Sequence, residues 1–350
     1  MGASESTAAC LLSSFQMSFK ANSLGEPGPV GSGPAWQDFL KRVERVAPSA
    51  ATLLIQGEHG VGKGWIARAI HGLSERREGP LVEIDLSVGS PSLVESTLFG
   101  HEEGAFTGAD RARLGCVRRA HGGTLVLAGL DDLDLGLQVK LLRLLQEHEV
   151  EPLGAEGPIS VDVRIVATAT GDLREQVELG TFREDLYYRL AVVQLDVPPL
   201  RVRFEGMDAW LPALLKLAAA DVGRQSRALS PEAVARLAVH PWPGNVRELE
   251  NALQRVLVLG SSEAEEIQPE EFNFLAETLE GHGSAQELAR QALSTGVQVD
   301  TLVGHLLQEA LKEHRGKLAP AARAVGLSRK AFEYRLSKWQ EETKGGEEQV

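Results

Sequence analysis

The stretch Gly57-Glu58-His59-Gly60-Val61-Gly62-Lys63-Gly64 sets four glycines and a lysine at spacings that suit an anion. Glycine allows backbone conformations in which successive N–H groups turn toward phosphate oxygens, and Lys63 adds a point charge. The apolar run ATLLIQ precedes the loop, and WIARAIHGL, with helical spacing, follows it. Strand, glycine-rich turn and helix N-terminus together form a phosphate cradle, because the helix dipole and its free N–H groups face the ligand. The plainer reading is a glycine turn with no ligand. The G-x-x-x-x-G-K spacing in this context favours nucleotide binding over it. One position departs. A Ser or Thr after the lysine would offer Mg²⁺ a hydroxyl. Gly64 offers none.

The elements that must hold this loop can be read on either side of it. Short apolar runs at 51–56, 81–86, 124–127, 163–169 and 192–197 alternate with amphipathic stretches such as 135–149. Alternation of that kind predicts an α/β fold, a parallel sheet with helices on both faces. From about Met207 to Ala276 the pattern is helical throughout. Ser230-Pro231 reads as one helix start, and Asn245 as the cap of another.

The composition bounds the rest. At 350 residues there is room for two or three domains. No apolar run approaches the roughly 18 residues of a membrane span, so no membrane partner is expected. The N-terminus lacks the basic region and apolar core of a secretory signal. Cys10 and Cys116 show no metal-ligand spacing and fit a reducing cytoplasm, and no metal-binding residues are expected. With a net charge of −13, any nucleic-acid site must be local.

Residues 98–109 read LFGHEEGAFTGA. The hexapeptide Gly104-Ala105-Phe106-Thr107-Gly108-Ala109 resembles the signature of the sigma-54-dependent transcription activators, the bacterial enhancer-binding proteins of the AAA+ class. Further blocks resemble that family in the same order: GGTL at 122–125, LQVKLL at 137–142, FREDLYYRL at 182–190, PPLR at 198–201 and WPGNVREL at 242–249. The resemblance covers residues 31 to 340. It implies an AAA+ α/β nucleotide-binding domain over 35–204 and a helical lid over 205–276. A flexible leader at 1–34, too short for a sensor domain, and a linker at 277–300 are expected around them.

The resemblance implies ATP as ligand, bound between neighbours in a ring. Gly57, Glu58, His59, Gly60, Val61, Gly62, Lys63 and Gly64 would cradle it, with Arg247 reaching in from the lid. Arg183 and Arg189 resemble arginine fingers given in trans, where a guanidinium stabilises charge on the γ-phosphoryl group. The alternative for them is a surface ion pair with Glu184 or Asp185. Residues Gly104 to Ala109 would project to sigma-54 RNA polymerase. The two glycines make the loop tight, and Phe106 and Thr107 offer one apolar and one small polar contact. The alternative for Phe106 is that its ring folds back on the surface.

The family pattern breaks in one region. Where the family carries an acidic pair after GGTL, this chain has Ala128 and Gly129. Neither side chain can hold a metal or accept a proton. Asp85 and Thr170 stand where the family has asparagines, and Gly64 where it commonly has an acid. ATP binding is therefore expected, while Mg²⁺ binding and hydrolysis are put in question. A fully active ATPase is the alternative. A shift of register could let Asp131 or Asp132 substitute, although the end of a buried strand resists such a shift.

Residues 317–339, KLAPAARAVGLSRKAFEYRLSKW, read as a short helix of small residues, a turn at Gly326 and a second helix capped by Ser328. That is a helix-turn-helix, similar to the Fis-type domain of the same family, in an all-α domain at 301–350. Its basic residues supply the local positive charge. Ser328, Arg329, Lys330, Glu333, Tyr334 and Arg335 are the expected DNA-facing residues. The expected function is thus a cytoplasmic regulator that binds ATP, sigma-54 RNA polymerase and upstream DNA, alone as a homo-oligomer or in mixed rings with related activators.

Overall fold

The computed structural model describes residues 30–107, 109–260, 264–275, 299–314, 316–327 and 331–339. Most of the expected leader and linker, Gly108, and Ser328, Arg329 and Lys330 lie outside the described residues. The chain divides into two compact units, Met1–Phe272 and Asn273–Val350.

In the first unit, β1 (Leu53–Gln56), β2 (Leu81–Asp85), β3 (Thr124–Ala128), β4 (Arg164–Ala169) and β5 (Val193–Asp196) form one parallel sheet. Their order is β2-β3-β4-β1-β5. These are the five expected strands. They are apolar at successive positions because both faces are covered. Leu54, Leu125, Leu127, Ile165 and Ala167 face one core, with Leu137 and Leu141 of the helix Leu135–Glu147. Leu53, Ile55, Val126 and Val166 face the other. That second core is closed by α1 (Pro34–Val46) and α2 (Lys63–Gly72), through Trp36, Phe39 and Val43 and through Ile66 and Ile70.

Residues 30–33, expected in a flexible leader, instead pack against Arg203. Val30 is buried, and the Ser32 N–H donates to the Arg203 carbonyl at 2.9 Å. The Arg203 guanidinium lies over the Trp36 ring at 4.3 Å and donates to the Val61 carbonyl at 2.7 Å. Burial pushes its pKa down to about 9. This cation supports the glycine-rich loop from beneath.

Three longer helices, α3 (Met207–Asp221), α4 (Pro231–Val239) and α5 (Asn245–Leu259), follow the sheet. The region is not helical throughout. Ala228–Leu229 and Glu266–Ile267 pair as short parallel strands. Ser230 caps α4 as expected, its side chain accepting the Ala233 N–H at 3.2 Å. Asn245 caps nothing, and its side chain points elsewhere.

In the second unit, α6 (Val299–Glu313), α7 (Leu318–Ala324) and a helix over 331–339, α8, enclose a core of Leu307, Ala310, Ala321, Ala322, Phe332 and Leu336. Gly326 has a φ of +71°, which makes the turn between α7 and α8. The small residues on α7 let these helices approach closely.

Candidate nucleotide and partner sites

The glycine-rich loop emerges from the C-terminal end of β1, in the crevice where parallel α/β sheets bind ligands. Gly62 precedes the first turn of α2. Gly60 has a φ of +72°, and a Cβ there would stand 2.2 Å from the Gly244 carbonyl oxygen. Only glycine lets the lid backbone come this close. The Val246 N–H donates to the Gly60 carbonyl at 3.0 Å, so the start of α5 rests on the loop.

Lys63 Nζ donates to the carbonyls of Gly57 (2.7 Å) and Glu58 (3.1 Å) and to Thr170 Oγ1 (3.2 Å) at the end of β4. Burial pushes its pKa down, and the nearby Asp131 carboxylate offsets part of that. Arg247 is exposed at the first turn of α5, beside Gly60. His59 and Val61 belong to the same loop; Val61 is buried.

Glu58 does not turn toward the cradle. Both carboxylate oxygens accept from Arg201, at 2.6 and 2.8 Å. Arg201 is the main reason that the Glu58 carboxyl is held below its usual range. Asn245 Nδ2 donates to Glu58 Oε2 (3.1 Å) and to the His59 carbonyl (2.9 Å), and its Oδ1 accepts the Leu200 N–H at 2.8 Å. Asn245 takes a φ of +53°, which frees its side chain from helix capping. No local periodicity marks this joint between loop, β5 exit and lid. The PPLR block beside an acid in the loop was the available signal.

Ala128 ends β3 and pairs in register with Asp85 on β2. Gly129 follows with a φ of +72°, and a Cβ there would meet Asp85 Oδ1 at 3.3 Å and the Ser87 side chain. Asp85 itself accepts from the Ser87 N–H (3.0 Å) and hydroxyl (2.6 Å). Gly129 leads into a short 3₁₀ turn, Leu130–Asp132. That turn brings Asp131 Oδ1 to within 2.8 Å of the Thr170 N–H. Asp131 therefore approaches Thr170 through this turn and not through a shift of the strand. Asp132 is exposed; partial desolvation, then Asp131 and Asp85, push its carboxyl up.

Gly64, Ala128 and Gly129 provide no side-chain oxygen for Mg²⁺. Among the described residues no group of three His, Cys, Asp or Glu side chains is placed to hold a metal ion. The residues present do not fit a metal bound in the usual way at this cradle.

Gly100–His101 and Arg113–Leu114 pair as antiparallel strands and clamp the base of the hexapeptide loop. Within it the Gly104 N–H donates to the Ala109 carbonyl at 2.9 Å and the Ala109 N–H to the Phe106 carbonyl at 3.0 Å. Thr107 is exposed and Ala105 half-buried. Phe106 is 46% exposed, and its ring meets His101 edge-on, with centroids 5.0 Å apart. It is thus partly turned back and still open to a partner. His101 is fixed by Ser96 Oγ (2.8 Å) and the Arg111 carbonyl (3.0 Å).

Arg183 precedes the helix Glu184–Leu190 as its N-cap residue and Arg189 lies in its last turn; both are exposed. Arg183 forms a two-bond ion pair with Asp185, at 3.0 and 2.7 Å. Arg189 Nε donates to the Leu145 carbonyl at 3.4 Å. In the second unit Tyr334 and Arg335 are exposed on α8 and Glu333 is half-buried, while Phe332 and Leu336 face the core.

A parallel sheet, a glycine-lysine loop after its first strand and a helical lid seated on that loop define an AAA+ P-loop module, here in a chain with a helix-turn-helix unit. Residues 30–196 match the sigma-54 interaction domain, 201–289 the AAA+ ATPase lid domain, and 304–339 the Fis family of bacterial regulatory proteins. The chain is 43% identical to the transcriptional regulatory protein ZraR of Escherichia coli K12, over 312 residues that make up 89% of this chain and 68% of that one. It is 39% identical to FlbD of Caulobacter vibrioides over 87% of this chain and 69% of the relative. Among solved structures, NtrX of Brucella abortus in complex with ATP is similar, with a TM-score of 0.63 and 30% identity over 95% of this chain and 73% of that one. Its complex with ADP gives a TM-score of 0.66 over 89% and 69%. The chain belongs to the sigma-54-dependent transcription regulators with a Fis-type DNA-binding domain. No helix among the described residues is long and apolar enough to cross a membrane.

Proposed function

We propose that this regulator binds ATP in the cradle Gly57–Gly64 and hydrolyses it at a small fraction of a working enzyme's rate. One observation carries the reading: β3 ends at Ala128 and Gly129 follows it, beside a cradle whose lysine is intact. Phosphoryl transfer depends on positioning water and stabilising charge. A single positioned base contributes about 10²–10⁴-fold, and neither residue at the end of β3 can act as one. The ATP and ADP complexes of NtrX support a nucleotide here. Residues Gly104 to Ala109 would touch sigma-54 RNA polymerase. Helix α8 with the residues before it, Ser328 to Arg335, would read an upstream DNA site. Arg183 and Arg189 would complete a neighbour's pocket, in a homo-oligomer or a mixed ring.

The test pairs equilibrium binding of ATP with steady-state phosphate release on the full chain. Binding with release at background supports the proposal. Turnover near 1 s⁻¹, ordinary for an enzyme, overturns it. The second reading, a working ATPase, has Asp131 in its favour, a carboxylate one hydrogen bond from the end of β4.

A further inference from the structure

Asp131 is held in place by its surroundings. Its Oδ1 accepts the Thr170 N–H at 2.8 Å. Its own backbone carbonyl accepts from Gln176 Nε2 at 3.3 Å. Thr170 is the same residue whose hydroxyl receives Lys63 Nζ at 3.2 Å. Thr170 thus carries the cradle's cation on its side chain and a carboxylate on its backbone. The chain Lys63–Thr170–Asp131 joins segments that follow the C-terminal ends of β1, β4 and β3. A phosphate-loop lysine reaches the β- and γ-phosphates, so the terminal phosphate of a bound nucleotide would come into the neighbourhood of this carboxylate. No metal ligand at 64, 128 or 129 would place a cation between the two negative groups.

We propose that Asp131 sets the nucleotide preference of the cradle, disfavouring a triphosphate relative to a diphosphate through the charge that Thr170 anchors beside Lys63. The inference rests on the reading of Gly57–Gly64 as a nucleotide site. A γ-phosphate adds about one to two negative charges close to a fixed carboxylate, in a partly dry crevice where charges act strongly. ADP lacks that group and escapes the repulsion. The regulator would then rest in a diphosphate-bound or empty state until ATP is abundant or a neighbour's arginines offset the charge.

The substitution Asp131→Asn isolates the charge, because the amide Oδ1 still accepts the Thr170 N–H. ATP and ADP are titrated separately into the full chain, with EDTA present, for wild type, D131N and D132N. Wild type is expected to hold ADP more tightly than ATP. D131N should move the ratio toward ATP by about tenfold, with thermal unfolding unchanged. D132N, exposed and without the Thr170 anchor, should move it less. Raising the salt should shrink the wild-type preference, since screening weakens charge repulsion; this arm needs no variant to fold. A ratio that stays within twofold in D131N overturns the inference, and so does a loss of ATP affinity, which would make Asp131 a favourable contact. If wild type binds neither nucleotide, the cradle reading itself fails. If it binds both and the ratio does not move, only the role of Asp131 fails.

Discussion

Asn245 and Glu58 lie 187 positions apart in sequence and are joined by a hydrogen bond of 3.1 Å. Asn245 is fully buried, and each polar atom of its side chain is used. The lid thereby grips the phosphate loop before any ligand arrives. Replacing Asn245 with Ala would leave the Leu200 N–H and the His59 carbonyl without their partner. An unmade bond of this kind costs about 1–3 kcal/mol. Chemical denaturation should register the loss, and ATP affinity should fall with it, because the lid no longer seats Arg247 beside Gly60. Unchanged stability and unchanged affinity would show that the joint is incidental.

Phe106 and His101 make a second prediction. The ring of Phe106 rests on an imidazole that is itself fixed at both nitrogens. Phe106→Ala should abolish capture of sigma-54 RNA polymerase and leave ATP binding within about twofold, since the loop is remote from the cradle in sequence and carries none of its contacts. His101→Ala should free the loop, seen as faster proteolytic cutting between 102 and 109. If His101→Ala leaves cutting unchanged, the ring contact does not hold the loop.

Restoring the missing carboxylates tests how far the site has drifted. Gly129 sits in the left-handed region, which costs an ordinary L-residue about 1–2 kcal/mol, and a side chain there would meet Asp85. Ala128→Asp with Gly129→Glu should therefore raise phosphate release only modestly and lower the melting temperature. Adding Asp85→Asn should raise both, by removing the like charge. A double variant that works equally well with and without the Asp85→Asn change would refute the repulsion.

The strands and the cradle were legible because both faces of the sheet are covered, so five apolar runs stand out, and because the loop's glycines and lysine are local in sequence. The hexapeptide and the helix-turn-helix were legible for the same reason. What the sequence hid is long-range. Asn245 follows a turn and precedes a helix, so capping was the local inference; its partners come from residues 58, 59 and 200. Asp131 looked misplaced by two positions along a straight strand. The left-handed Gly129 ends that strand and the 3₁₀ turn swings the carboxylate to Thr170. Neither a backbone reversal nor the neighbouring strand's end can be read from spacing alone.

DNA binding is expected to depend on the second unit. Tyr334 is 70% exposed and Phe332, on the same helix, is fully buried. Tyr334→Ala should weaken binding to the cognate site and leave the helices folded by circular dichroism. Arg329→Ala should cost about 1–3 kcal/mol if the guanidinium reads a base edge. Anisotropy titrations at one fixed salt concentration make the comparison, since phosphate contacts vary steeply with salt. A chain ending at Asp300 that keeps its affinity would place the site elsewhere.

Arg183 is paired with Asp185 at 3.0 and 2.7 Å, and both groups are exposed. An exposed pair of this kind is screened by solvent and holds its partners only weakly. In the proposed ring, a neighbour's γ-phosphate would recruit Arg183 at small cost. The chain lacks its own carboxylates at Ala128 and Gly129 yet keeps the arginines that a neighbour would use. Mixed with an active relative, it should sustain hydrolysis per active subunit, with its own pocket filled and silent. Arg183→Ala with Arg189→Ala in this chain should reduce that hydrolysis at least tenfold, the lower range of what one arginine finger contributes being about 10³. Asp185→Asn should leave it unchanged or raise it, because the arginine starts free. Phosphate release is measured across mixing ratios, with co-assembly followed by light scattering. If the two proteins assemble and the arginine variants hydrolyse as fast as wild type, the fingers do not act in trans.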